Sequence, residues 1–348
     1  MLLEGLFLPL TTPFHPDGRL NLRKLAHNVS LYSKTPAAGL VALGPGSEAL
    51  LLSPQERDEV LRTIGRAAAA EKVLLADVSS QSLRATLELA ETAAAAGFDA
   101  VLVQPPAVPV VAQREEAVSL YLQMVADRAP LPVLLASGNG TPAAPGPALS
   151  VETIARLAQH ANVLGAVIAA EHTAVLGTIR EATQSVQRDV TVTHVFAAVT
   201  GRMQQQAEST VLDAESLVRG SGTVAVATSR PPLRTRTRRV GFQVVACVAT
   251  HMLDALQAGV GAVLPLLGAS VPQAAFEVVA AWKDGDAALA AEKQERLLPL
   301  AAAMQEEAAL KYGCDRNGYF GGWPRLPILP VAAEQRAELD RLLAGMRA

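Results

Sequence analysis

A chain of 348 residues, half of them hydrophobic and 18% charged, carries enough apolar material for one barrel of about 250 residues with an appendage, or for two ordinary domains. A formal charge of -3 removes any global electrostatic case for nucleic acid or an anionic membrane and leaves only local basic patches to weigh. Two cysteines, Cys247 and Cys314, form neither a metal-ligand spacing nor a disulfide framework, so a reducing, cytoplasmic setting is expected.

The apolar start MLLEGLFLPL lacks a basic leader region, contains Glu4 and runs into a turn at Pro16-Asp17-Gly18. It reads as a first strand. No uncharged apolar run has the length and flanks of a membrane helix. Short β-rich runs then recur: GLFLPL at Gly5, GLVALG at Gly39, KVLLADV at Lys72, DAVLVQPP at Asp99, LPVLLAS at Leu131, VLGAVIAA at Val163, FQVVACVAT at Phe242 and GAVLPLLGA at Gly261. Segments with helical spacing separate them, at Ser53 to Ala70, Ser82 to Ala96, Glu115 to Ala126 and Ser150 to His160. Ser53-Pro54 and Ser150-Val-Glu-Thr supply helix-start signals. The first six runs start 27 to 34 residues apart, the length of one strand-helix unit, so the chain predicts a (β/α)8 TIM barrel over residues 1-270. Residues 271-348 predict a C-terminal helical extension, with helices at Gln273 to Lys283, Asp286 to Ala309 and Ala332 to Met346.

The interval between the sixth and seventh runs is too long for one helix and its loops, and it predicts an insertion at about 185-240. Within it HVFAAVTGRMQQQAESTV has helical character. GSGTVAVATSRPP, leading into LRTRTRRV, is expected to be loop.

Five blocks in order carry a family likeness: TTPFHPDG, GLVALGPGSEALLLSPQER, ATLELAETAAAAGFDAVLVQPP, PVLLAS and KYGCDRNGYFGGWPRLPILP. The chain resembles the dihydrodipicolinate synthase and N-acetylneuraminate lyase superfamily, in particular its 4-hydroxy-2-oxoglutarate aldolase-like branch. That resemblance implies a barrel with its site at the C-terminal strand ends, a homo-oligomer (tetramer or dimer), and class I aldol chemistry on pyruvate through a lysine Schiff base.

The residues at the implied site do not fit that chemistry. The G-I-K pattern of the sixth strand is matched by Gly165-Ala166-Val167-Ile168, which puts Val167 where the lysine is implied. The tyrosine of the fifth strand is matched by Ala136, followed by Ser137. The loop resembling G-T-T-G-E reads Gly44-Pro45-Gly46-Ser47-Glu48, and a T-P-Y-Y run is matched by Gln104-Pro105-Pro106-Ala107. The only lysines are Lys24, Lys34, Lys72, Lys283, Lys293 and Lys311, none expected at a strand's C-terminal end.

Pocket candidates are Ser47, Glu48, Gln104, Ser137, Glu171 and His172, with Asp77, Asn139 and His251 further along the same rim. Glu48, Asp77, His172 and His251 are acceptable ligands for a divalent ion, and Glu171-His172 is an acid/base candidate. Their spacing is not diagnostic, and helix capping, loop bonding and solvation explain the same residues; no metal or cofactor is expected. His15, His27, His160 and His194 read as surface or structural residues. The loop from Gly138 to Gly146 could cover the mouth but carries no phosphate-binding glycine motif. Arg230, Arg234, Arg236, Arg238 and Arg239 form a basic run that could bind nucleic acid, a phosphorylated ligand or an acidic partner surface, but it has no interleaved aromatics and a solvated or inter-subunit pairing role is favoured. The cluster from Tyr312 to Trp323 is expected to pack the extension onto the barrel.

Two functional readings follow. The first is a barrel without Schiff-base activity, retained as a binding or regulatory subunit alongside an active paralogue. The second is a lyase or hydro-lyase acting on a 2-oxo acid or sugar acid by metal or acid/base chemistry. Either would take a small 2-oxo acid or sugar acid as ligand.

Overall fold

Strands apolar on both faces are stable only when helices cover one face and the other is filled from within. The computed structural model, which describes residues 1–108, 114–138, 147–169, 174–209, 233–248 and 250–346, satisfies both demands by closure. Its parallel strands are β1 (Gly5–Pro9), β2 (Gly39–Ala42), β3 (Val73–Asp77), β4 (Ala100–Val103), β5 (Val133–Ser137), β6 (Val163–Ala169), β9 (Gln243–Val248) and β10 (Ala262–Pro265). Each pairs with its neighbours, and β1 closes the ring against β10. All eight expected strands are present, so the TIM barrel is formed.

Alternation along the strands sorts side chains into two cores. Val73, Leu75, Leu102, Leu134, Ala136, Val167 and Val245 fill the barrel interior. Leu74, Ala76, Val101, Val133 and Leu135 face outward and pack under the helices. Those helices are α1 (Leu22–Ser33), α2 (Pro54–Ala67), α3 (Leu83–Ala95), α4 (Glu115–Arg128), α5 (Val151–Leu157), α6 (Ala174–Ala182) and α8 (Met252–Gln257). The predicted starts hold. Ser53 and Glu56 form a reciprocal capping box with Pro54 in the first turn, and Ser82 and Ser150 cap α3 and α5. Each such cap is worth about 1 kcal/mol.

Between β6 and β9 the chain leaves the barrel. β7 (Arg188–Thr193) and β8 (Thr235–Val240) form an antiparallel ribbon, with α7 (Gly201–Ser209) following β7. This corrects the expectation that LRTRTRRV is loop: Thr235–Val240 is a strand in register with Arg188–Thr193. Arginines and threonines replaced the apolar residues that would have marked it. Val190 and Val192 supply the apolar face and pack on Leu2. GSGTVAVATSRPP lies outside the described residues. His194 to Thr200 is a turn segment, so the helical character of that stretch is confined to its second half.

The ribbon sits at the N-terminal end of the barrel. Arg238 pairs with Glu4 at 2.7 Å just before β1. The Gly201 amide donates to Asp99, just before β4, and Arg202 donates to the Lys72 carbonyl, just before β3. α9 (Pro272–Lys283) follows β10 and runs back along the barrel, bringing Lys283 beside Gly5; α10 (Ala287–Ala303), α11 (Glu307–Arg316) and α12 (Ala333–Met346) complete the chain, and Lys311 of α11 reaches Glu48 at the opposite, C-terminal end. The expected single helix over Asp286 to Ala309 is two helices, broken at Met304 to Glu306, so Lys311 is helical.

Close approach explains one glycine. A Cβ on Gly165 in β6 would lie 2.0 Å from the Gln243 carbonyl oxygen of β9, whereas one on Gly177, exposed in α6, would meet nothing within 4 Å. Gly165→Ala should cost about 1–3 kcal/mol through strand displacement, and Gly177→Ala should gain about 0.5–1 kcal/mol from helix propensity. Urea unfolding of both variants checks the pair; equal stabilities would contradict the packing described.

Candidate functional site

The C-terminal strand ends are where a barrel of this kind carries chemistry. At the level of β5 and β6, Ala136 and Val167 are register partners. Both are fully buried in the interior core beside Leu102, Leu134, Val245 and Cys247. The only heteroatom on these six side chains is the Cys247 sulfur. Burial pushes that thiol up to about 12, so it is not a thiolate at neutral pH. None of the six lysines lies on a strand.

Above this apolar floor, Asp77 ends β3 with its carboxylate buried. It accepts from the amide and hydroxyl of Ser79 and from Gln104 Nε2 at 3.3 Å. The Gln104 amide in turn donates to Ser79 Oγ at 2.9 Å, which joins the ends of β3 and β4. Burial raises the Asp77 carboxyl above the ordinary carboxylate range, and the Ser79 and Gln104 hydrogen bonds oppose that rise. Asp77 and Gln104 are therefore brought together, as part of a loop network.

The other candidates are held separately. Ser47 Oγ donates to the Gly44 carbonyl at 2.6 Å within its own loop. Ser137 Oγ accepts the Leu149 amide at 2.8 Å, fastening the return from β5. His251 lies 3.6 Å from Asp254. Asn139, Glu171 and His172 lie outside the described residues, as does Arg230. Among the described residues no three His, Cys, Asp or Glu side chains gather as a metal-ligand set.

Glu48 has the most developed surroundings. Both it and Leu43 hold left-handed backbone at φ 56, a conformation that non-glycine residues adopt at a cost. Its carboxylate is inaccessible and pairs with Lys311, which is equally buried. Lys311 Nζ also donates to the Trp323 carbonyl at 2.9 Å and lies 4.3 Å from the Phe14 ring centroid. Burial pushes the Glu48 carboxyl up and the Lys311 ammonium down, while each charge pulls the other back. Sequence reasoning missed this lysine because α11 delivers it from outside the strand register; the signal available was its place inside the tail block KYGCDRNGYFGGWPRLPILP.

Arg325, in the same block, completes the arrangement. Its amide donates to Glu48 Oε2 at 2.7 Å, and its guanidinium grips Glu56 in a two-point contact at 2.6 and 2.8 Å. It also donates to the carbonyls of Gly18 and Leu51, and its guanidinium carbon lies 4.2 Å from the Phe14 ring centroid. The C-terminal extension is thus bolted to the loops that leave β1 and β2.

Comparison with known proteins agrees with this architecture. A model of the dihydrodipicolinate synthetase family matches residues 2–196 and 223–346. This chain belongs to that family. The dihydrodipicolinate synthetase match leaves 197–222 uncovered, between α6 and β8. An L-threo-3-deoxy-hexylosonate aldolase of Hypocrea jecorina is 34% identical over 166 residues, covering 46% of this chain and 52% of that protein. A 4-hydroxy-tetrahydrodipicolinate synthase of Acidiphilium cryptum is 26% identical over 346 residues, covering 99% and 98%. Among solved structures, a prophage protein of the dihydrodipicolinic acid synthase family from E. coli K12, in complex with pyruvate, superposes with a TM-score of 0.76. It is 22% identical and covers 100% of this chain and 99% of its own.

Two predictions test the bolt. Lys311→Met leaves a buried carboxylate unpaired and should cost about 3–5 kcal/mol, much of it recovered in the Glu48→Gln, Lys311→Met double variant; a double-mutant cycle with no coupling would contradict the pairing. The second concerns acid. Hydrogen bonds from Arg325 hold the Glu56 carboxyl down at about 2, against an ordinary value of 4.5. Its contribution is present above pH 4.5 and lost as pH falls toward about 2. Glu56→Gln should flatten the acid limb of stability against pH in that window, measured by fluorescence-monitored unfolding.

Proposed function

We propose that this member of the dihydrodipicolinate synthetase family does not form a pyruvate Schiff base and serves as a binding or regulatory subunit, in a homo-oligomer or beside an active paralogue. The observation that carries the reading is the register pair Ala136 and Val167, buried together in an apolar interior. Imine formation needs an unprotonated amine at the carbonyl carbon, and the proton transfers that follow need a hydroxyl or an equivalent relay. Valine and alanine supply neither.

The remaining polar groups support the same reading. Ser47, Glu48, Gln104 and Ser137 are each engaged in bonds that hold loops or the extension in place. These bonds hold the loops of the mouth in place above an apolar floor. The ligand we propose is a small 2-oxo acid or sugar acid, taken without covalent attachment. The rival lyase reading, by metal or acid/base chemistry, has no specific observation in its favour among the described residues.

Borohydride reduction in the presence of pyruvate, followed by intact-protein mass spectrometry, tests the proposal. The unmodified chain should gain no reduced pyruvate adduct. Val167→Lys should gain one, because burial lowers the amine's pKa and favours the reactive neutral form. An adduct on the unmodified chain, mapped to any of its lysines, would overturn the reading.

A further inference from the structure

A cavity of about 350 Å³ lies at the N-terminal end of the barrel, between the start of β1, the turn that follows β7 and one face of α9. That volume falls within the roughly 300–1,000 Å³ of small-molecule sites. Its walls are largely apolar. Phe276, Val279 and Lys283 stand at i, i+3 and i+7 of α9, a spacing that puts all three on one helix face, and Leu6 and Phe196 belong to the same lining.

Phe196 is held in left-handed backbone at φ 61, a conformation that a bulky residue adopts at a cost. Thr193 fixes it there. The Thr193 carbonyl accepts the Phe196 amide at 2.9 Å, its hydroxyl accepts the Ala197 amide at 3.0 Å, and its own amide donates to the Ala197 carbonyl at 2.8 Å. Phe196 nevertheless stays 51% exposed, with Val195 beside it at 68%. A turn that holds strain and leaves its aromatic ring half uncovered beside a cavity is accounted for by a ligand that completes the covering.

Three charged residues line the cavity, Glu4, Glu71 and Lys283. Glu4 is committed to Arg238 at 2.7 Å. Lys283 carries its ammonium to the cavity wall, since a Cβ built on Gly5 would stand 3.7 Å from Nζ. Among the described residues, Lys283 has no carboxylate within ion-pairing distance and exposed Glu71 has no cation. Lys72 and Arg202 lie in electrostatic range of Glu71, but the Lys72 ammonium donates to the Thr35 and Ala37 carbonyls and Arg202 to the Lys72 carbonyl. The lining therefore offers one open cation and one open anion on an apolar wall.

We infer that this cavity binds a small zwitterion with an apolar body, an α-amino acid with an aliphatic or aromatic side chain. Its carboxylate would meet Lys283, its ammonium Glu71, and its side chain Phe196 and Phe276. A simple carboxylic acid would answer Lys283 and meet repulsion from Glu71, and a simple amine would do the reverse; a zwitterion satisfies both. A ligand here would join the ribbon turn to α9, at the end of the barrel opposite the candidate site. The assignment stands independently of whether the barrel forms a Schiff base.

Isothermal titration calorimetry of the full chain with leucine and with phenylalanine, in a low-salt buffer, tests it. Saturable binding of at least one is expected, with Lys283→Gln and Glu71→Gln each weakening it about tenfold to a hundredfold. Both positions are exposed, so the unliganded melting temperature of each variant should match that of the parent chain, which separates lost binding from lost folding. The analogue lacking the ammonium, 4-methylpentanoate for leucine or 3-phenylpropanoate for phenylalanine, should bind about tenfold more weakly than its amino acid. No saturable binding of either amino acid, unchanged affinity in either variant, or an analogue that binds as tightly as its amino acid would overturn the assignment.

Discussion

Eight parallel strands closed into a ring leave an interior that only their own side chains can fill, and every inward position is therefore a packing position before it is anything else. This constraint makes the Ala136 and Val167 pair physically consistent. A lysine and a tyrosine in an interior of this kind carry desolvation costs that must be met by hydrogen bonds or by ligand. Alanine and valine carry none, and they extend the wall already formed by Leu102, Leu134 and Val245. An interior stripped of polar groups at this level needs no compensation elsewhere in the barrel.

The polar apparatus that remains obeys a different logic. The Glu48 and Lys311 pair, the Arg325 clamp and the Asp77, Ser79 and Gln104 network all lie around the C-terminal mouth, and all connect segments far apart in the chain. A buried ion pair is weak evidence of net stability, because desolvation offsets much of the attraction, but it is strict about partners and geometry. Removing either member leaves a charge with no alternative. Such networks hold the position of the extension on the barrel whether or not the barrel catalyses anything.

The sequence made the barrel legible because its signals are local. Apolar runs at the spacing of a strand-helix unit, the Ser53 capping box and the tail block each act within a few residues, and each appears where expected. Less legible were features that depend on distance in the chain. Lys311 gave no strand-end signal, since its partner lies 263 residues earlier, at Glu48. Strand β8 resembles loop in the sequence because Thr-Arg-Thr-Arg-Arg alternates without the apolar face that marks a strand. The apolar contribution comes from Val190 and Val192 of its partner.

The same distinction bears on what the mouth can do. Ser47, Glu48, Gln104 and Ser137 were recognisable as polar residues at strand ends, but position alone does not say whether a side chain faces a ligand or its own loop. Their hydrogen bonds answer that. Ser47 turns back to Gly44, Ser137 takes the Leu149 amide, and Glu48 meets the extension. Groups already engaged in this way would have to give up a bond to bind a substrate, and a group whose bond also fixes a loop cannot do so without moving that loop. A mouth built like this presents a fixed shape, because each of its polar groups is tied to the loop or extension that it positions.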